Sequence, residues 1–185
     1  MINIPTLYFG YLIILLSIIG FGYLSTKILS IRLSLGELGL SGILFMTVLS
    51  YITNLFVSHD FIHNSIFLAI GLFAFFLISK KKLFRKKIKL ILLVTSIFFI
   101  GILMYKTHDD FFYYHFQYTI SLIEFKKIFG VGNLEHGWRT PSSIFYFNSL
   151  FYLPILEKSL INSGAIYFLI FSNIFLIQKV FNQLK

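Results

Sequence analysis

Two carboxylates stand side by side at Asp109 and Asp110, at the exit of an apolar run. Carboxylate oxygens are the preferred ligands of hard cations such as Mg²⁺ or Mn²⁺. One of the pair could instead take a proton from a sugar hydroxyl as general base. A purely structural alternative exists for Asp110, which follows Thr107 at capping-box spacing and could hold a backbone N–H at a helix start. Asp109 would then simply be solvated.

A second group surrounds Arg139. It precedes Thr140-Pro141, a strong helix start, and Ser142 and Ser143 fall in the first turn. Free N–H groups, two hydroxyls and a guanidinium would converge there on a phosphate or pyrophosphate. The competing account pairs Arg139 with Glu135 or a lipid headgroup. Trp138 beside it reads as an interfacial anchor or as a platform for a sugar. His115 could join a metal site near the aspartates or shuttle a proton, against a plain structural role. His59 and His63, four apart with Asp60 between, have metal-ligand spacing but no third ligand in reach.

The elements that must position these residues are apolar. The chain is 57% hydrophobic and 12% charged, about half the usual charge of a soluble domain, with a mean hydropathy of +0.85. Runs at about 6–24, 36–57, 62–79, 89–105 and 159–178 approach the length needed to cross roughly 30 Å of hydrocarbon. The expected fold class is an all-α polytopic membrane protein with about five transmembrane helices. The net charge of +9 does not indicate nucleic acid, because the basic residues follow the ends of apolar runs rather than gathering on one face. The chain has no cysteine, which excludes disulfides and thiolate chemistry. The first run lacks a basic leader and a cleavage site and reads as a retained span.

Orientation follows from charge. Seven basic residues crowd 80–89, and such a loop stays cytoplasmic. An external amino terminus then places eleven basic residues inside and five outside, with all five histidines and every acidic residue except Glu37 outside. Three regions result: a four-span part (1–105), an external loop (106–158), and a fifth span with a short cytoplasmic tail (159–185). In the loop, a helix over 111–129 would place Tyr114, Gln117, Ser121 and Glu124 on one stripe with Asp110. Phe111, Phe112, Tyr118, Leu122 and Phe125 would lie on the other. Gly130 to Asn133 would stop it, and a second helix would run from Pro141 to about Leu153, before Pro154. Both are expected as surface or re-entrant helices.

A membrane exit with paired acids, an amphipathic helix, a Pro-initiated helix and another span resembles the first external loop of the GT-C glycosyltransferases. The elements Asp110…Tyr114-His115, Gly130-Val131-Gly132-Asn133-Leu134 and Arg139 with Ser142-Ser143 are also similar to an uncharacterised family of bacterial polytopic membrane proteins. The likeness covers about 105–180. It implies an external-face glycosyltransferase in a bacterial cytoplasmic membrane, fed by a polyprenol-phosphate sugar. Asp109 and Asp110 would be catalytic or metal-bearing, and Arg139, Ser142, Ser143, His115 and Trp138 would line the substrate. The acids follow the fourth span rather than the first, and the spans are few for that family. The chain is therefore expected to be the amino-terminal part of a longer protein, or to need a membrane partner.

Two other classes fit the composition. A transporter of lipid-linked saccharides or ions would use polar groups at mid-span, where this chain offers only Ser, Thr, Asn54 and Gly. A non-enzymatic assembly subunit would use the loop to bind a partner.

The topology has a direct test in a cysteine-free chain. In intact cells, an impermeant maleimide should label a cysteine at Gln117 and spare one at Lys82. The reverse pattern would invert the orientation.

Overall fold

The computed structural model describes residues 2–80, 88–104, 111–133, 138–139 and 141–183, with the backbone alone at Asn182. Helix α1 (Ile4–Ile28) starts where the Asn3 side chain accepts from Thr6 N at 2.8 Å, with Pro5 in the first turn. Helix α2 (Leu35–Asn54) opens with a full capping box: Ser34 N donates to Glu37 Oε2 and Glu37 N to Ser34 Oγ. Helix α3 (Phe61–Ser79) is capped by Asp60, which accepts from His63 N at 2.9 Å. Then come α4 (Ile88–Leu103), α5 (Phe116–Glu124) after a π-helical turn at Phe111–His115, α6 (Ser143–Ser149) and α7 (Gly164–Gln183). No strand occurs among the described residues.

Helices α1, α2, α3 and α7 are long and apolar enough to cross a membrane, and α4 is a shorter apolar helix. Its sixteen residues rise about 24 Å, short of the full hydrocarbon core. The protein is an all-helical integral membrane protein, as the composition requires.

Contacts between helices fix their relative directions. Ser17 and Gly20 of α1 meet Leu68 and Gly71 of α3, so these two run parallel. Ser25 meets Ser41, and Ile18 approaches Gly42, so α2 runs back along α1. Phe171 and Phe175 of α7 lie over Gly39 and Gly36 of α2, again antiparallel. Tyr11 Oη donates to Thr95 O, and Tyr8 packs edge-on against Phe99, setting α4 antiparallel to α1. The 29–34 turn, the ends of α3 and α7 and the start of α4 therefore share one end of the bundle. The 55–60 turn, the end of α4 and the described residues between 111 and 163 share the other.

The bundle is held by close backbone approach. A Cβ on Gly20 would sit 1.8 Å from Gly71 O, one on Gly22 1.9 Å from Leu38 O, and one on Gly42 2.0 Å from Ile18 O. Lipid tails are as apolar as leucine, so helices in a bilayer associate through such tight van der Waals contact. Across the bundle Tyr11 stacks on Tyr167 at 5.2 Å, and Tyr167 Oη donates to Tyr11 O at 3.1 Å.

The loop departs from the expectation in three places. The expected helix 111–129 is a π turn followed by only nine α-helical residues, because Phe125 is extended (φ −130°, ψ 147°). The end of α2 causes this: Asn54 Nδ2 donates to Phe125 O and Leu122 O, and Lys127 N donates to Asn54 O. Phe112 and Phe125, placed with the apolar stripe, are exposed, while Thr119 and Ile123 are buried. Gly130 does adopt φ +79°, yet several residues after the helix has ended. The second helix starts at a Ser142 cap rather than at Thr140, which lies outside the described residues, and ends at Ser149. Turns then carry the chain to Gly164, so the last span begins later than 159.

The glycine contacts predict a clear asymmetry. Gly22→Leu should force α1 and α2 apart and lower stability by about 1–3 kcal/mol. Gly101→Leu, with open space around it, should be near neutral. Thermal unfolding in detergent and membrane abundance of the two variants would check this.

Candidate functional site

The loop end carries nearly all the polar side chains that the fold buries together. Asn64, one turn into α3, donates from Nδ2 to His59 O (2.7 Å), Ser149 O (2.9 Å) and Tyr152 O (3.0 Å). His59 is fully buried. Its Nδ1 shares a 2.6 Å hydrogen bond with Ser149 Oγ, and its Nε2 meets Thr53 Oγ1 at 3.2 Å. His59 N donates to Leu122 O at 2.9 Å. Burial, with His63 stacked at 4.7 Å, pushes the His59 imidazole down to about 3, so it is neutral at physiological pH. The His59–Asp60–His63 spacing thus serves structure: Asp60 is a cap and His59 a buried strut.

An aromatic cage adjoins this hub. Lys127 Nζ donates to Tyr118 Oη at 3.0 Å and to Tyr146 Oη. Tyr146 is fully buried and stacks on Tyr51 at 3.8 Å. Burial and the Tyr118 hydroxyl hold its phenol well above the usual tyrosine range. Trp138 meets Tyr118 edge-on at 5.8 Å, and its indole N–H is buried with no hydrogen-bond partner among the described residues. Trp138 is therefore part of a packed cluster, rather than a free-standing anchor at the interface.

On the opposite side of α5 lies a groove. Its outer part, about 470 Å³, runs from Leu7 on α1 and Ile102 on α4 past Phe112 to Glu157, Lys158 and Ser159. Its inner part, about 200 Å³, reaches His115, Thr119, Phe145 and Asn148. Phe111, Phe116, Ile161 and Asn162 line both. Lys158 Nζ lies 5.7 Å from the centre of the Phe116 ring, and Glu157 is held at φ +44°, a conformation costly for a residue with a Cβ. The groove is apolar where it meets the spans and polar where it meets the loop.

The residues singled out from sequence divide accordingly. Asp109 and Asp110 lie outside the described residues, and Phe111, the next residue in the chain, is a groove wall. His115 is half-buried beside Phe145 at 5.1 Å and faces the groove. Arg139 is exposed and donates from Nε to Gly132 O at 3.2 Å. Ser142 accepts from Ile144 N as the helix cap, and Ser143 Oγ shares a hydrogen bond with Tyr51 Oη at 3.3 Å. The expected anion site at this helix start is thus a seven-residue helix whose two serine hydroxyls are engaged. Sequence reasoning did not single out Asn64, Lys127 or Asn162. The signal for Asn54 and Asn64 was present as an amide side chain at the loop-side end of an apolar helix.

The chain belongs to the family described as Domain of unknown function (DUF8201), whose model matches residues 6–185. Neither the curated proteins nor the solved structures provide a match.

His59 gives the hub a pH signature. The folded protein keeps it neutral down to about 3, whereas an unfolded chain takes up a proton near the ordinary value of 6.5. Its contribution to stability is complete above about 6.5 and declines as pH falls toward about 3. Unfolding in detergent should show the advantage of wild type over His59→Gln shrinking from pH 7 to pH 4. A constant gap would show that His59 does not titrate on unfolding.

Proposed function

We propose that this member of the DUF8201 family is an external-face membrane enzyme of GT-C-like type, acting on a lipid-phosphate-linked sugar. The observation that carries this reading is the groove between α1, α4, α5 and the 157–162 turn. Its wall begins on the apolar helices, where a lipid tail would lie. It ends among Lys158, Asn162 and His115, where a phosphate and a sugar would find a cation and polar donors. In the chain, Asp109 and Asp110 come immediately before the groove residue Phe111. The loop end is external in this reading, because Lys80 and Lys89, which bound the seven-charge stretch in the sequence, stand at the opposite end of the bundle.

Each group has a defined part. Lys158 and the Asn162 amide hold the phosphate, Phe112 and Phe116 exclude water from it, and Asp109 takes the proton of the acceptor hydroxyl. His115 moves a proton at the inner end. Arg139 lies outside the groove lining, with its Nε donating to Gly132 O. No three carboxylate or histidine side chains converge among the described residues. In the alternative to the base role, a Mg²⁺ or Mn²⁺ ion would rest on Asp109 and Asp110 and supply charge to the phosphate.

One observation favours a second reading, a non-enzymatic assembly subunit. Asn54, His59, Asn64, Ser149 and the Lys127 backbone N–H all hold the loop to the bundle, as a rigid docking platform would require.

The two separate in a binding experiment. The purified protein should retain a polyprenol-phosphate sugar by native mass spectrometry, and Lys158→Ala with Asn162→Ala should weaken retention about tenfold, the loss of one charge-assisted contact. Asp109→Asn should bind normally and transfer nothing. Equal binding by wild type and the double variant would remove the groove from the function.

A further inference from the structure

Away from the groove, two short turns form an edge with an unusual composition. After α2 ends, Leu55, Phe56 and Val57 are all exposed. After α5 ends, Phe125, Ile128 and Phe129 are exposed too. Phe56 and Phe129, at 73% and 81%, are as open as a side chain in a turn can be. Lys126 is exposed between them, and Glu124 and Ser58 stand at the border. Lys127 also borders the patch, with its ammonium turned inward to Tyr118 and Tyr146.

The two turns are fixed to one another. Asn54 Nδ2 donates to Val57 O on one turn and Phe125 O on the other, and Lys127 N returns a 2.7 Å hydrogen bond to Asn54 O. The apolar edge is therefore a built surface. Its depth follows from α2: twenty helical residues rise about 30 Å, the thickness of the hydrocarbon core. Residues just past Asn54 emerge where acyl chains give way to headgroups, and the 125–129 turn is held at the same level.

We infer that the 55–57 and 125–129 turns form a wedge in the headgroup layer at the loop end, with Phe56 and Phe129 among the upper acyl carbons and Lys126 on a phospholipid phosphate. Aromatic and aliphatic tips flanked by a lysine match that boundary layer chemically. Anionic phospholipid is the preferred occupant, because Lys126, exposed at the tip, would neutralise a phosphate that has no ammonium of its own, as phosphatidylcholine's has, while Glu124 stays at the rim. The wedge sets the height of α5, and with it the height of the groove on that helix's other side.

A single cysteine at Phe129, labelled with an environment-sensitive dye, tests the placement in vesicles of phosphatidylcholine and phosphatidylglycerol. Nitroxide near the lipid headgroup should quench the dye strongly and aqueous iodide weakly. A dye at Leu93, on the exposed side of α4, should respond to nitroxide deep in the acyl chains. In native mass spectrometry, Lys126→Gln should lower retained phosphatidylglycerol roughly fivefold, with retained phosphatidylcholine unchanged. Strong iodide quenching at Phe129 would place the edge in water, and shielding from both quenchers would assign it to a protein partner. Either result, or unchanged phosphatidylglycerol retention in Lys126→Gln, overturns the inference. None of these readouts depends on the groove or its substrate.

Discussion

A loop that folds back onto the end of a membrane bundle must find a partner for each buried backbone N–H and C=O, and the rest of this structure depends on how that is met. Asn54 and Asn64 supply amide hydrogens to six carbonyls between them, in Val57, His59, Leu122, Phe125, Ser149 and Tyr152. Each asparagine has only two N–H hydrogens, so the bonds are shared. The carbonyls would otherwise lose their water with no replacement, at a cost of about 1–3 kcal/mol each. These two side chains bind the α2–α3 turn, the end of α5 and the end of α6 into one body. The groove and the exposed edge lie on opposite sides of that body, so both inherit their positions from it.

The spans obey a different constraint. They have little to hydrogen-bond and no hydrophobic effect to drive them together, so the glycines let backbones touch. Ser17, Ser25 and Ser50 donate to nearby carbonyls within or between helices. None of these hydroxyls forms a relay across the bundle. Polar function is thereby displaced to the loop end.

What could be read from sequence follows this division. The spans were legible because hydrocarbon thickness sets their length and because Lys and Arg mark their ends; all four long helices fall within a few residues of the apolar runs. The acidic, seryl and prolyl signals around the loop helices were weaker, because local capping rules compete there with tertiary capture. Phe125 would continue a helix by its own propensity, but Asn54 takes its carbonyl. Pro141 would open a helix, but the chain starts it at Ser142, where Ser143 can reach Tyr51. Of the candidate site, His115 was legible as an imidazole a little beyond the paired aspartates. Asn162 and Lys158 were not, because only the turns after α6 bring them opposite Phe116.

The proposed chemistry at this end would have to use side chains that the scaffold has left open. His59, Asn64 and Ser149 have the residue types of a catalytic site, yet each is buried and engaged in hydrogen bonds. Neutral imidazole there is a structural choice: a charged one would face low dielectric and a stacked His63. Lys127 is half-buried and already shared between two phenols. The groove side chains differ. His115 is only half-buried and Asn162 is exposed; among the described residues Lys158 lies over the face of Phe116, an interaction of about 0.5–1 kcal/mol at an exposed site. A phosphate could displace so weak a contact at little cost. The separation of engaged from available polar groups, rather than the number of either, is what leads the proposed reading to the groove beside α5.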